Sequence, residues 1–169
     1  WQAKPFLEKN HIVFQPGVNE DMAATAVWGS QQLNLGPKSN YDGVFGIWYG
    51  KAPGVDRCGD VVRHANHAGT DPNGGVLMMC GDDHAAVSST VPGQSEHNLA
   101  SWMVPMLYPA GVQEYLDYGL LGWAMSRFAS VWVGFKCVSE VVESSASVHV
   151  DPDHLDIQYP EFEMPPGGL

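Results

Sequence analysis

The run Gly75–Cys80 (GVLMMC) is apolar at nearly every position, so both of its faces need cover. A strand of that kind belongs in the interior of a parallel sheet with helices on each side. The rest of the chain repeats the pattern: short apolar runs separated by longer segments of helical periodicity, which is the order of a parallel α/β domain. His11–Phe14, Gly43–Tyr49, Gly75–Cys80 and Ser130–Lys136 read as strands, and Val104–Leu107 is a candidate fifth. Asn19–Leu33, Asp56–Ala68, Ser95–Met103 and Gly111–Phe128 read as helices. Asn19 is a good N-cap, and Glu20 and Asp21 follow it in the first turn, where carboxylates offset the helix dipole. Met22, Ala23, Ala26, Val27, Ser30 and Leu33 would form the buried face of that helix. Val112, Tyr115, Leu116, Leu120, Trp123 and Ala124 would form that of the last one. Cys137–Glu143 fits either a strand or irregular structure. The predicted class is α/β, an open and mainly parallel sheet with helices on both faces. It spans 1–150 and is followed by a Pro-rich extended connector over 151–169. Trp1 opens inside a helical pattern, so the chain is expected to be a module of a larger protein, truncated at its start.

Composition narrows the function. The formal net charge is −11 with only eight Lys plus Arg, so the chain would repel a phosphate backbone and nucleic acid is not an expected partner. No apolar run approaches the roughly 20 residues of a membrane helix. Three widely spaced cysteines, Cys58, Cys80 and Cys137, form no C-x-x-C pair. Reduced thiols in a cytoplasmic protein are the simplest reading.

Polar clusters follow three of the predicted strands: Asn19-Glu20-Asp21, then Lys51 to Arg57, then Asp82-Asp83-His84. In open parallel sheets, ligands bind beyond the carboxyl ends of the strands. Glu20 is placed there to exchange a proton with a nitrogen heterocycle, or else only to offset the helix dipole. Lys51 and Arg57 flank a Gly/Pro loop and can meet an anionic substrate, or simply face solvent. Asp82, Asp83, His84, Ser88 and Ser89, with His97 downstream, mix carboxylate, imidazole and hydroxyl groups. They suit a substrate, a metal or a partner, or merely turns and caps. Their spacing matches no metal-ligand pattern. Asp60, His64 and His67 share one helix face and read best as a solvated face. No phosphate-cradling glycine motif and no nucleophile elbow occurs.

Three stretches, FQPGVNEDMAATAVWGSQQ (Phe14–Gln32), YDGVFGIWYGKAPGVDRCGDVVRHANHAGT (Tyr41–Thr70) and GDDHAAVSSTVPGQSEH (Gly81–His97), resemble the large fused form of indolepyruvate ferredoxin oxidoreductase. Tyr108–Glu114 and FKCVSEVVESSASV (Phe135–Val148) continue the likeness. Val87 and Gly93 stand where the resemblance leads one to expect a lysine and a histidine.

The resemblance implies that thiamine diphosphate lies between two similar α/β modules. This chain would be the one that holds the aminopyrimidine. Diphosphate and Mg2+ would sit on a second module of the same parent protein, and an iron–sulfur cluster elsewhere in it. Glu20 would be the catalytic, cofactor-binding glutamate that exchanges a proton with the pyrimidine, and Asn19 would lie beside the cofactor. Lys51, Asp56, Arg57, Asp82, Asp83, His84, Ser88 and Ser89 would form the substrate region. The implied reaction is oxidative decarboxylation of indolepyruvate or another arylpyruvate. Coenzyme A takes the acyl group, ferredoxin takes the electrons, and the full-length protein is a homo-oligomer. Alternatives are a thiamine decarboxylase or synthase using the same glutamate, an acidic interaction module, and a metal-dependent hydrolase built on Asp82, Asp83, His84 and His97.

Overall fold

In the computed structural model, the described residues are 2–36, 38–88, 90–151 and 153–163. Four strands, β1 (Phe45–Lys51), β2 (Gly75–Asp82), β3 (Met106–Leu107) and β4 (Val133–Val138), form one sheet in the order β1-β2-β4-β3. Every pairing is parallel. Seven α-helices accompany them among the described residues: α1 (Lys4–Lys9), α2 (Glu20–Ser30), α3 (Ala52–Arg57), α4 (Gly59–Ala68), α5 (Glu96–Ser101), α6 (Val112–Ala129) and α7 (Ser139–Val142). None of the helices is long and apolar enough to cross a membrane.

The pleat sorts β2 into two faces, because alternate side chains of a strand point to opposite sides. Val76, Met78 and Cys80 join Trp48 in a core closed by α2 to α5, where Ala24, Val55, Val62, Leu99, Trp102 and Trp132 are buried. Leu77 and Met79 turn to the other face beside Phe135, where Tyr115 of α6 stacks edge-on at 5.5 Å. The order of the strands explains this division. The chain steps outward from β1 to β2 and on to β3 through α3, α4 and α5, then steps back to β4 through α6. A right-handed crossover that reverses direction puts its helix on the opposite face, which is where α6 lies.

The amino-terminal edge of the sheet is tied by buried side chains. Gln31 donates from Nε2 to the Val44 carbonyl at 3.0 Å and accepts the Gly75 N–H at 3.0 Å. Ser126 of α6 accepts the Val76 N–H at 2.8 Å and donates to the Val131 carbonyl at 2.5 Å. Gly122 lets α6 approach closely, since a Cβ there would lie 2.5 Å from Leu77 Cδ2. The carboxyl edge opens into a cavity on the α6 side.

Several expectations are corrected. His11–Phe14 forms no strand; it runs beside β1, where Phe14 stacks on Tyr49 at 6.5 Å, without a ladder. The second strand starts and ends later than expected, and α3 follows it directly, so the predicted Gly50–Gly54 loop is strand end and helix start. The helix expected over Asp56–Ala68 is broken at Cys58 into α3 and α4. The break seats Gly59 against the Trp102 indole, 2.9 Å from where a Cβ would be. The first long helix stops at Ser30, with a 3-10 turn over Leu33–Leu35, and buries Ala24 while Met22 is exposed. On α6 the fully buried positions are Gly122 and Ser126, whereas Leu116 and Leu120 are about half exposed. Cys137 and Val138 belong to β4, and the residues after them form α7.

Candidate functional site

Glu20 opens α2 beyond the carboxyl end of β1. Asn19 caps this helix, its side-chain oxygen accepting the Met22 N–H at 2.8 Å, so the Asn19 side chain is committed to the helix end. The buried Trp48 indole donates to the Glu20 carbonyl at 3.0 Å and fixes the backbone there. The Glu20 side chain lies flat over Gly54, where a Cβ would come within 2.4 Å of Glu20 Cγ. Its carboxylate is 3.6 Å from Arg57, and the two side chains are 41% and 58% exposed. A pair this wet contributes little to stability and leaves the carboxylate available to a ligand. Asp56, one residue earlier on α3, instead takes a hydrogen bond from Asn98 of α5.

A cavity of ≈1000 Å³ lies beyond the ends of β1, β2 and β4 on the α6 side of the sheet. In open α/β sheets, ligands bind beyond the carboxyl ends of the strands, which is where this cavity lies. Lys51, the last residue of β1, reaches into the cavity. Its Nζ donates to Asp83 Oδ2 and to Ser88 Oγ, each at 3.0 Å. Asp83 also accepts the backbone N–H of Val87 at 3.0 Å and of Ser88 at 2.9 Å. Ser88 and Val87 N–H donors, then Lys51, hold the Asp83 carboxyl down at about 2 from its ordinary 3.8.

A depressed carboxylate stabilises the folded loop fully above the ordinary value, and that contribution is lost as the pH falls through about 2. An NMR carboxyl titration should therefore find the Asp83 midpoint near 2. A midpoint at the ordinary value would contradict this clasp.

Asp82 and Asp83 are adjacent but do different things. Asp82 still belongs to β2 and turns into the other face, where it is fully buried. It accepts the N–H and Oγ–H of Ser95, at 3.0 and 2.9 Å, and lies 3.3 Å from Lys136 Nζ. Lys136, also buried, donates to Glu96 at 2.5 Å and sits 4.8 Å from the centre of the Tyr108 ring. Sequence reasoning missed this triad. Its one local signal is a lysine inside the apolar run Val133–Val138.

Other predicted residues disperse. His84 and His97 are exposed, and Ser89 lies outside the described residues. Asp60 and His64 are exposed and 3.6 Å apart, and His67 is exposed too. Among the described residues, no three His, Cys, Asp or Glu side chains gather as a metal site would require. The cysteines are buried and unpaired. Burial pushes the Cys58 thiol up to about 12 and Cys137 to about 11, and raises Cys80 as well, so none is a ready nucleophile. Tyr115, another residue the sequence did not single out for chemistry, lines the cavity, with its hydroxyl buried beside the Cys137 thiol. The arrangement therefore offers a poised carboxylate at one end of α3 and, at the other, an ammonium held over a mainly apolar cavity. No family model matches the chain, and no curated protein matches it.

Proposed function

We propose that the chain is the pyrimidine-binding module of a thiamine-diphosphate-dependent 2-oxoacid oxidoreductase. The reaction would be oxidative decarboxylation of indolepyruvate or another arylpyruvate, with coenzyme A and ferredoxin as acceptors. The observation that carries this reading is Glu20: a half-exposed carboxylate at the carboxyl edge of a parallel sheet, braced by Gly54 and Trp48. A carboxylate so held can hydrogen-bond a ring nitrogen of a heterocycle and pass a proton to and from it. Arg57 offers a counter-charge when Glu20 is ionised.

These residues fit the pyrimidine half of the cofactor only. Asp82 is spent on Lys136 and Ser95, and Asp83 on Lys51, Val87 and Ser88. Neither is free to hold Mg2+, which agrees with the second module that the resemblance implies for diphosphate and metal. When bound, thiamine diphosphate would supply the electron sink for loss of carbon dioxide. The chain's own part is to orient the pyrimidine and to hold or release one proton at the Glu20 carboxylate.

The direct assay is coenzyme A-dependent reduction of ferredoxin or a dye by the assembled enzyme with indolepyruvate. Turnover should vanish when thiamine diphosphate is withheld and return when it is restored. Turnover indifferent to the cofactor, or absent with every aryl and branched-chain 2-oxoacid, would remove this reading.

Gly54 gives a finer test. An alanine methyl would displace the Glu20 side chain without touching the core. Gly54→Ala should lower kcat/KM on the order of tenfold to a hundredfold, as misplaced catalytic groups do. Its melting temperature should stay close to wild type, because Ala is favoured over Gly inside a helix. Full activity in this variant would show that the position of Glu20 does not matter.

A further inference from the structure

We infer that His154 is a pH-sensitive hook: as the imidazolium it fastens its own stretch of chain across α6, and on losing a proton it lets that stretch lift from the apolar cavity it borders. Neither Glu20 nor a cofactor takes part, so this inference stands or falls apart from the reading above.

The helix prepares the fastening. Tyr115, Gly122 and Ser126 turn one side of α6 to the sheet. Gln113, Asp117 and Phe128 lie on another side, since residues four apart, or about three turns apart, share a face. The chain after α7 meets these three in order. Gln113 clamps the His149 backbone twice, accepting its N–H at 2.7 Å and donating to its carbonyl at 3.2 Å. Asp117 Oδ1 accepts from His154 Nε2 at 2.9 Å and from Gln113 Nε2 at 3.0 Å. Gln113 and His154 thus lean on one oxygen, which couples the clamp to the hook. Phe128 anchors the far end, packing against Tyr159 at 6.0 Å and Phe162 at 5.5 Å.

The charge state of His154 follows from its neighbours. Its Nδ1 faces the Asp151 carbonyl, and its Nε2 faces the Asp117 carboxylate. Both partners are acceptors, so both ring nitrogens must carry hydrogen, and only the imidazolium has two. A neutral ring would turn a lone pair on one of the two oxygens. The His149 ring stands edge-on at 5.6 Å and is itself 3.7 Å from the Asp151 carboxylate. To the cavity beside them the sheet brings Ile47, Leu77, Met79 and Phe135, which carry no charge. From α6 comes Tyr115, whose phenol burial keeps un-ionised.

The Asp151 carbonyl is the larger influence, and together with Asp117 it holds His154 above its ordinary 6.5. A histidine raised in this way stabilises the fastened chain fully below the ordinary value. That contribution is lost as the pH rises through the raised one. The His154 and Asp117 side chains are 29% and 21% exposed, so water and salt moderate the effect. His149, Val150, Asp151 and His154 border a cavity of ≈610 Å³ that reaches down to Leu77, Met79 and Phe135. Release of the hook therefore opens an apolar groove on the α6 face.

The test follows the full chain by NMR at low ionic strength as the pH is raised. The His154 ring should titrate above 6.5, with both nitrogens protonated below its midpoint. Protection of the His149 amide, corrected for the intrinsic pH dependence of exchange, should fall about threefold to fivefold through that midpoint. A neutral nitroxide should then relax the Leu77 and Met79 methyls more strongly. Asp117→Asn should bring the His154 midpoint back toward 6.5 and lower the amide protection at every pH. His154→Gln should leave the protection low and flat. His149→Gln keeps the backbone clamp and should keep the whole response at the same amide. A His154 midpoint at or below 6.5 would overturn the inference. So would protection that ignores the midpoint, methyls equally shielded on both sides of it, or a response that disappears in His149→Gln.

Discussion

Lys136→Ala is expected to cost about 3–5 kcal/mol of stability, the loss typical when one partner of a buried ion pair is removed. The Lys136 side chain is 2% exposed and Asp82 is 0% exposed. Without the ammonium, Asp82 keeps only the two Ser95 donors, while its Oδ1 is buried and has no partner even with Lys136 in place. Glu96 loses its 2.5 Å bond as well, though at 27% exposure it can turn to water. For a domain of this size the expected fall in Tm is on the order of 10 °C, measured by thermal or urea unfolding. Lys136→Met with Asp82→Asn should recover part of the loss, because the double variant leaves no lone buried charge. A single-variant loss below about 1 kcal/mol would mean that water reaches Asp82. The loop from Asp83 to Ser95 hangs between this triad and the Lys51 clasp, so the variant should also loosen that wall of the cavity.

The parallel class was legible because Gly75–Cys80 has no polar face and the helical segments alternate with it. The paired strands were found within a few residues of their limits. His11–Phe14 failed for a physical reason: an apolar run becomes a strand only when a neighbour accepts its backbone hydrogen bonds. Here the segment meets β1 through the Phe14 and Tyr49 rings and joins no ladder. The break at Cys58 was invisible for a similar reason, since Gly59 answers to Trp102, far along the chain.

The site was legible in outline and not in detail. Lys51, Asp82 and Asp83 could each be picked out as polar residues after strands, whereas Glu20 was placed after His11–Phe14, which forms no strand, and its backbone is fixed by Trp48 of β1 instead. The division of labour between Asp82 and Asp83 could not, because it depends on β2 running through Asp82 and leaving Asp83 free to turn back to Lys51. Lys136 and Ser95 are brought to Asp82 by the sheet and by α5, and no local pattern announces them. Tyr115 looked like one more apolar-face residue of α6 until the cavity placed it against Cys137.

The measurement that tests the central claim most directly is steady-state turnover of the assembled enzyme with Glu20→Gln beside wild type. The readout is coenzyme A-dependent acceptor reduction with indolepyruvate, at saturating thiamine diphosphate. Glutamine keeps the length of the side chain and its packing over Gly54 but cannot exchange a proton. The account predicts a loss on the order of a hundredfold or more in kcat, the size expected of a general acid–base residue, with an unchanged melting temperature. Wild-type turnover in Glu20→Gln would contradict it and reduce Glu20 to a residue that offsets the dipole of α2.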